Sequence, residues 1–284
     1  MDSSAAVTGK SPWNRGVQGR IQSSGIAIYY ILRDLMFKDG LYKKLRAQAK
    51  LSQGLAGKKV IIQGFGTVGY WAAVYLKREG ALIQGVVTGI GSIYNETGIN
   101  PEKCLEALNG YKDAIAAKTG KAAKLEKAIR KIEKIGVFSQ DESVLYKRCD
   151  ILIPCALEMA IHKGNKKKIQ AKLIVEGANG CVSFAAAQYF RSQQIVVVPD
   201  VLAGTGSLIA SYYEYLCNID KRKQSLTITR WEEKSKLTLL ANLQVVFRRA
   251  NFNVDFEKMT EEYMKGPEEI DLLFGLIETC IGTS

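Results

Sequence analysis

One hexapeptide, Gly64-Phe65-Gly66-Thr67-Val68-Gly69, constrains this chain more than any other run. It follows a short apolar strand, Lys59-Val60-Ile61-Ile62, and opens a helix expected over 67–77. In that setting each glycine has its own task. Gly64 permits a tight turn, Gly66 lets the backbone approach a pyrophosphate, and Gly69 lets the helix pack closely on the strand. The helix N-terminus adds unpaired N–H groups and the positive end of its dipole. GxGxxG by itself is a weak pattern. A strand before it and a helix after it make it a strong signal of a phosphate-cradling turn.

The rest of the chain extends that unit. A half-buried helix is expected over 18–37, followed by a polar, basic stretch that ends at Gly57. A second strand is expected over 82–87, and further strands at Ile151-Leu152-Ile153, Leu173-Ile174-Val175 and Ile195-Val196-Val197-Val198. Each follows a polar or helical segment and ends in a small or glycine-rich turn. The fold class is therefore α/β: a Rossmann-like, doubly wound, mostly parallel sheet, with ligands at the carboxyl ends of the strands. Beyond Gly206 the pattern turns helical, over 207–217, 228–249, 256–264 and 268–280. No linker of Pro, Ser and Gly intervenes. The expected division is 1–217 for the sheet domain with its entry helix and 218–284 for a helical appendage.

Composition narrows the function classes. No apolar run approaches the roughly 20 residues of a membrane span. Six scattered cysteines without a CxxC pair read as free thiols, so no metal site is expected. The N-terminus lacks a secretory apolar core. Lys10, Arg15 and Arg20 are compatible with a mitochondrial presequence, whereas Asp2 and the early onset of fold-like sequence oppose a removable one. A formal charge of +12 favours polyanionic neighbours. Much of it lies in 118–134, with Lys118, Lys121, Lys124, Lys127, Arg130, Lys131 and Lys134 against Glu126 and Glu133. Leu125, Ile129 and Ile132 recur there at helical spacing, so one stripe packs down. The charged face is either an ordinary solvated surface or a docking face for RNA or an acidic partner.

The second strand carries a departure. A carboxylate at its end would hold the adenosine ribose hydroxyls of a dinucleotide, yet the run reads Val86-Val87-Thr88-Gly89-Ile90. Thr88 offers one neutral hydrogen bond, about half the strength of a charge-assisted one. The sequence thus keeps the pyrophosphate turn and lacks the ribose clamp, and weakened or lost dinucleotide binding is an expectation alongside binding.

Over nearly its whole length the chain resembles the glutamate dehydrogenase family, specifically its nucleotide-binding domain. The segments that carry the resemblance are Thr8-Gly9-Lys10, Gly19-Arg20-Ile21 with Ser24-Gly25, residues 63–69, Gly91-Ser92-Ile93-Tyr94-Asn95 and Cys149-Asp150-Ile151-Leu152-Ile153-Pro154. Glu176-Gly177-Ala178-Asn179-Gly180, Val198-Pro199-Asp200 and Ser211-Tyr212-Tyr213-Glu214-Tyr215-Leu216 continue it. The helix around 231–249 resembles the start of the antenna found in the longer, animal-like branch.

The resemblance implies NAD or NADP as cofactor, with Gly64, Gly66 and Gly69 at the pyrophosphate. It implies Asn179 on the nicotinamide side and Ser24 at the place of a threonine that contacts the nicotinamide amide. Ser211 and Arg20 match residues near the amino-acid substrate. Thr88 replaces the ribose acid, and Gly204 replaces an asparagine after the last strand. The family's upstream domain, with its catalytic lysine and aspartate, has no counterpart, because the resemblance begins around residue 5.

No catalytic residue is therefore expected, and His162 reads as a surface residue. Taken alone, the chain is expected to be inactive and to serve as a subunit of a larger assembly, mitochondrial or RNA-containing, and otherwise cytoplasmic. The alternative is the cofactor-binding part of an NAD(P)-dependent glutamate or amino-acid dehydrogenase acting with a missing catalytic domain.

Overall fold

A computed structural model describes residues 3–117, 119–219, 235, 238–239, 241–246 and 269–282. In chain order the longer elements begin with α1 (Arg20–Phe37), α2 (Leu41–Gln48), β1 (Lys59–Gln63), α3 (Thr67–Arg78), β2 (Leu82–Thr88) and β3 (Gly91–Tyr94). Next come α4 (Pro101–Ala116), α5 (Lys121–Glu133), β4 (Val137–Ser139), β5 (Cys149–Pro154) and β6 (Ala171–Val175). Then follow α6 (Phe184–Ser192), β7 (Val196–Val198), α7 (Asp200–Ala203), α8 (Thr205–Ile219) and α9 (Glu269–Gly282).

Val60, Ile61 and Ile62 are fully buried, as strand residues covered on both faces must be, and β1 lies inside the sheet. Seven strands run in the order β4-β3-β2-β1-β5-β6-β7. The five from β2 to β7 pair in parallel, so the doubly wound expectation holds for the core of the sheet. The β3 and β4 edge was not foreseen. β3 returns antiparallel to β2 through a turn at Gly89 and Ile90, and β4 pairs antiparallel with β3. The hairpin and β4 thus add an antiparallel edge, while α4 and α5 still lie between the second strand and β5.

The chain divides into two compact units. The larger comprises Ile21–Leu208 with Ile277–Ser284 and holds the sheet. Ile61, Val144, Leu152, Ile174 and Phe190 lie in one of its buried clusters, which joins α6 to the sheet. Burying a side chain such as Phe190 contributes about 1.5–3 kcal/mol. The basic segment is helical as expected: α5 buries Ala128 and Ile132, half-buries Leu125 and Ile129, and exposes its lysines. Lys118 lies outside the described residues.

The smaller unit comprises Met1–Arg20 with Ile209–Leu276. Most of the helix expected over 228–249 and all of that over 256–264 lie outside the described residues; 235, 238–239 and 241–246 are helical. α9 matches the last expected helix.

Candidate functional site

The glycine turn has the geometry its sequence requires. Gly64 adopts φ +86°, a left-handed conformation that L side chains rarely take, and a Cβ there would lie 2.8 Å from the Cys155 carbonyl oxygen. Its N–H donates to Val87 O at 2.7 Å, while Cys155 N–H donates to Gln63 O at 2.6 Å. These bonds fix the turn between β2 and the segment after β5. A Cβ on Gly69 would collide with Gly64 O, so the start of α3 can lie this close to the turn only with glycine.

Gly66 behaves differently. A Cβ there meets nothing within 4 Å, and the residue is exposed. It caps α3 without a side-chain hydrogen bond, leaving the first N–H groups of the helix open to a ligand. Phe65 is buried, Thr67 exposed and Val68 half-buried.

The turn forms one wall of a cavity of about 770 Å³ at the carboxyl ends of β1 and β2. Thr88, Gly89 and Ile90 line it, together with Leu108 and Lys112 of α4, Glu142, Tyr146, and a loop that includes Glu158, His162 and Lys168. Thr88 Oγ1 donates to Gly91 O at 2.9 Å and accepts from Ile90 N at 3.4 Å, so the hydroxyl closes the β2–β3 turn. His162 is exposed, as read from the sequence, and its Nδ1 accepts from Gly164 N at 3.1 Å.

Lys112, Glu142 and Lys168 escaped sequence reasoning as wall residues. They are far apart in the chain and belong to no motif, so the sequence held no local signal for them. Gln63, the last residue of β1, also belongs to the wall. It is 8% exposed and its Oε1 has no hydrogen-bond partner among the described residues. An unpaired buried amide oxygen costs about 1–3 kcal/mol, and a ligand donor would relieve that cost.

Asn179 stands exposed in the loop after β6, and it is not among the residues lining this cavity. The next residue, Gly180, donates its N–H to Asp200 Oδ2 at 2.7 Å. Buried below is Glu176, whose pKa is pushed up to about 7 by burial and then by the Asp200 charge, against one backbone N–H of Asp200. A Cβ on Gly204 would lie 3.8 Å from Asn179 Oδ1, so the two positions at which the family carries asparagine stand side by side. Ser24 is a half-buried residue of α1 and likewise does not line the cavity.

Arg20 and Ser211 fall in the smaller unit. There Glu214, wholly buried, accepts the N–H of Gly9 at 2.9 Å and of Lys10 at 3.2 Å, and pairs with Lys10 Nζ at 3.0 Å and Arg20 Nη1 at 3.3 Å. Burial alone would raise its pKa. The Gly9 N–H and both donors of Lys10 outweigh burial and hold the carboxyl below its ordinary value. Arg20 therefore serves a buried carboxylate of its own chain. Ser211 is half-buried on α8, one turn before Glu214.

Among the described residues no three His, Cys, Asp or Glu side chains are grouped to hold a metal ion, and all six cysteines are free thiols. No helix among them is long and apolar enough to cross a membrane.

A parallel sheet with a strand–glycine turn–helix unit and an open cavity at its carboxyl edge defines a dinucleotide-binding domain. The family profile Glutamate/Leucine/Phenylalanine/Valine dehydrogenase matches residues 16–262, and the chain belongs to that family. It is 36% identical over 240 residues to the mitochondrial glutamate dehydrogenase of Dictyostelium discoideum, covering 84% of this chain and 44% of that protein. It is 35% identical over 214 residues to the NADP-specific glutamate dehydrogenase of Saccharolobus shibatae, with 75% and 44% covered. The chain thus spans about half the length of the curated relatives it matches.

Among solved structures, the hetero-hexameric glutamate dehydrogenase of Thermus thermophilus in its Leu-bound form matches with a TM-score of 0.60 at 23% identity. That match covers 96% of this chain and 56% of the other. Glutamate dehydrogenase 2 of Plasmodium falciparum matches with a TM-score of 0.61 at 17% identity, covering 97% and 48%. At these identities the likeness shows the fold.

Proposed function

We propose that this chain binds a nicotinamide dinucleotide, NAD or NADP, and by itself oxidises no amino acid, acting as a subunit of a larger assembly. The observation that carries the binding reading is the open backbone at Gly66. A rigid turn presents N–H groups and free space at the mouth of a cavity large enough for a ligand, and an orphaned Gln63 amide oxygen waits in its wall.

On this reading Gly64 to Gly69 hold the pyrophosphate and the Thr88 wall receives the adenosine end. Asn179 and Ser24 serve the nicotinamide side, and residues 218–284 form the helical appendage. The nicotinamide ring supplies the hydride chemistry of the family when bound. Amino-acid oxidation also needs a base and cations that handle the substrate's amine and carboxylate. Arg20, the nearest match to such a cation, is paired with Glu214, which supports inactivity of the chain alone.

The alternative, the cofactor part of an NAD(P)-dependent glutamate dehydrogenase acting with a separate catalytic domain, draws on the intact glycine turn and on the relatives' greater length. The assembly reading draws on the Thermus relative, described as hetero-hexameric. A mitochondrial location draws on the Dictyostelium relative, and the exposed lysines of α5 support RNA as a further partner.

Titrating the chain with NADH and NADPH by fluorescence tests the central claim. No binding at millimolar ligand would remove it, and glutamate-dependent turnover by the purified chain would remove the claim of inactivity. Native size fractionation tests the assembly, since migration as a free monomer would exclude it.

A further inference from the structure

Lysine and tyrosine alternate along one face of the larger unit. Lys147 Nζ lies 4.3 Å from the ring centroid of Tyr94, Lys168 Nζ 5.5 Å from that of Tyr146, and Lys166 Nζ 5.2 Å from that of Tyr189. All three rings are half-buried, and they pack against one buried cluster, the one that joins α6 to the sheet. Lys147 follows Tyr146 in the chain, and Lys166 and Lys168 share the turn Lys166–Lys168, so the three pairs form one strip. The turn Ser143–Tyr146 packs against β1, β2 and β3, and the turn Lys166–Lys168 against α6, which packs on β7. From β3 to β7 the sheet order gives five strand spacings, about 24 Å.

The strip lies away from the glycine turn. Tyr94 closes β3 at the end opposite the Thr88–Gly91 turn, Tyr146 lies just before β5, and Lys168 just before β6. Tyr146 and Lys168 also reach the cavity wall, whereas Tyr94 and Tyr189 do not. The surroundings are positive: residues 143–172 hold seven Lys or Arg against Asp150 and Glu158. Arg148, Lys163 and Lys167 are exposed and make no ion pair among the described residues. Asp150 is paired with Lys172 at 2.6 Å, and the Asp141 carboxylate accepts from Ser139 and Ser143.

We infer that this strip binds single-stranded nucleic acid, with Tyr94, Tyr146 and Tyr189 as stacking platforms for bases and the lysines beside them as partners for phosphates. It is a different surface from α5, whose lysines have no aromatic ring among them.

Alternating rings and cations match a single strand, which offers a flat base and a charged phosphate in each repeat. A base stacked on a ring is worth more than an exposed lysine held over it. The ammonium groups of Lys147 and Lys168 make no ion pair or hydrogen bond among the described residues, so each can leave its ring for a phosphate. Lys166 is held by the Ala185 carbonyl oxygen at 2.8 Å and stays beside Tyr189. An acidic peptide would satisfy the lysines and leave the rings unused.

The test titrates the full chain into a fluorescein-labelled 12-residue oligouridine RNA at low salt and reads anisotropy. Binding is expected, weakening steeply as salt rises. Tyr94→Ala and Tyr189→Ala should each cost about tenfold in affinity, while Tyr94→Phe and Tyr189→Phe, which keep the ring, should stay within about twofold. Lys147→Ala and Lys167→Ala, at exposed positions that leave the core untouched, should each reduce the salt slope by about one. A thermal melt separates lost binding from lost folding.

No binding at low salt would overturn the inference, as would alanine variants that fold and bind as the unaltered chain does. Loss of binding on Lys124→Glu with Lys127→Glu in α5, and not on the strip variants, would move nucleic acid to α5 and overturn the strip. A labelled 12-residue polyglutamate that binds as tightly as the RNA would make the strip a docking face for an acidic protein, and that too would overturn it.

Discussion

Raising the pH through neutrality should weaken the larger unit through one carboxyl group, Glu176. The side chain is 7% exposed at the carboxyl end of β6, where its backbone N–H donates to Val198 O at 3.0 Å. Burial first, and the Asp200 charge second, raise its pKa from 4.5 to about 7. Asp200 is held in place by N–H donors from Gly180 and Val201, each at 2.7 Å. Between those two values the folded chain keeps a proton that the unfolded chain has released. The contribution to stability is therefore complete below the unfolded value and is lost as pH rises toward about 7.

A shift of that size corresponds to about 3 kcal/mol without screening, and solvent at the loop reduces it to about 1–2 kcal/mol. Urea unfolding at about pH 5 and about pH 8 measures the loss. Glu176→Gln, which cannot ionise, supplies the reference for every other titrating group. The unaltered chain should lose about 1–2 kcal/mol more than the variant across that interval. Parallel pH profiles for the two proteins would refute the assignment.

Other expectations follow from single contacts. Gly69→Ala drives a methyl into Gly64 O and should cost about 1–3 kcal/mol in urea unfolding. Gly66→Ala adds a Cβ that meets no atom of the protein within 4 Å, so the melting temperature should hold while fluorescence titration shows dinucleotide binding weakened. Glu214→Gln removes the buried carboxylate shared by Lys10 and Arg20 and should cost about 2–3 kcal/mol. Because the folded pKa of Glu214 is lowered, its contribution is present above the ordinary carboxylate range and lost as pH falls, which acid unfolding of the two proteins would compare. Thr88→Asp should tighten NADH about tenfold in the same titration, at a cost of about 1 kcal/mol for the lost bond to Gly91 O.

The parts legible in the sequence are those whose physics is local. The glycine turn could be read because strand, turn and helix are contiguous. β5, β6 and β7 could be read because buried parallel strands are short apolar runs. α2 carried no such signal. Arg46 is its buried residue, with Nη1 donating to Leu35 O at 3.0 Å and Lys38 O at 3.2 Å, so the helix is anchored by a cation rather than an apolar stripe.

β4 is three residues long with Val137 exposed, too short and too open to alternate. The site divides in the same way. Gly64, Gly66, Gly69 and Thr88 came from the motif and its spacing, whereas Lys112, Glu142 and Lys168 meet only because the sheet order brings α4, the β4 end and the loop after β5 to one cavity. The pairing of Arg20 with Glu214 was hidden for the same reason: 194 positions separate the two in the chain.

The β2–β3 hairpin carries a consequence for how the chain assembles. Parallel strands pair only after a crossover has formed, whereas Thr88 and Gly91 are three positions apart and can meet on the time scale of loop closure. The Thr88 hydroxyl thus clips together the most local pairing in a sheet otherwise built from slow, distant encounters. A carboxylate at that position would hold a ribose more firmly and could still accept from Ile90 N–H, but it could not donate to Gly91 O. At residue 88, grip on a ligand and the bond that closes the hairpin compete for one side chain.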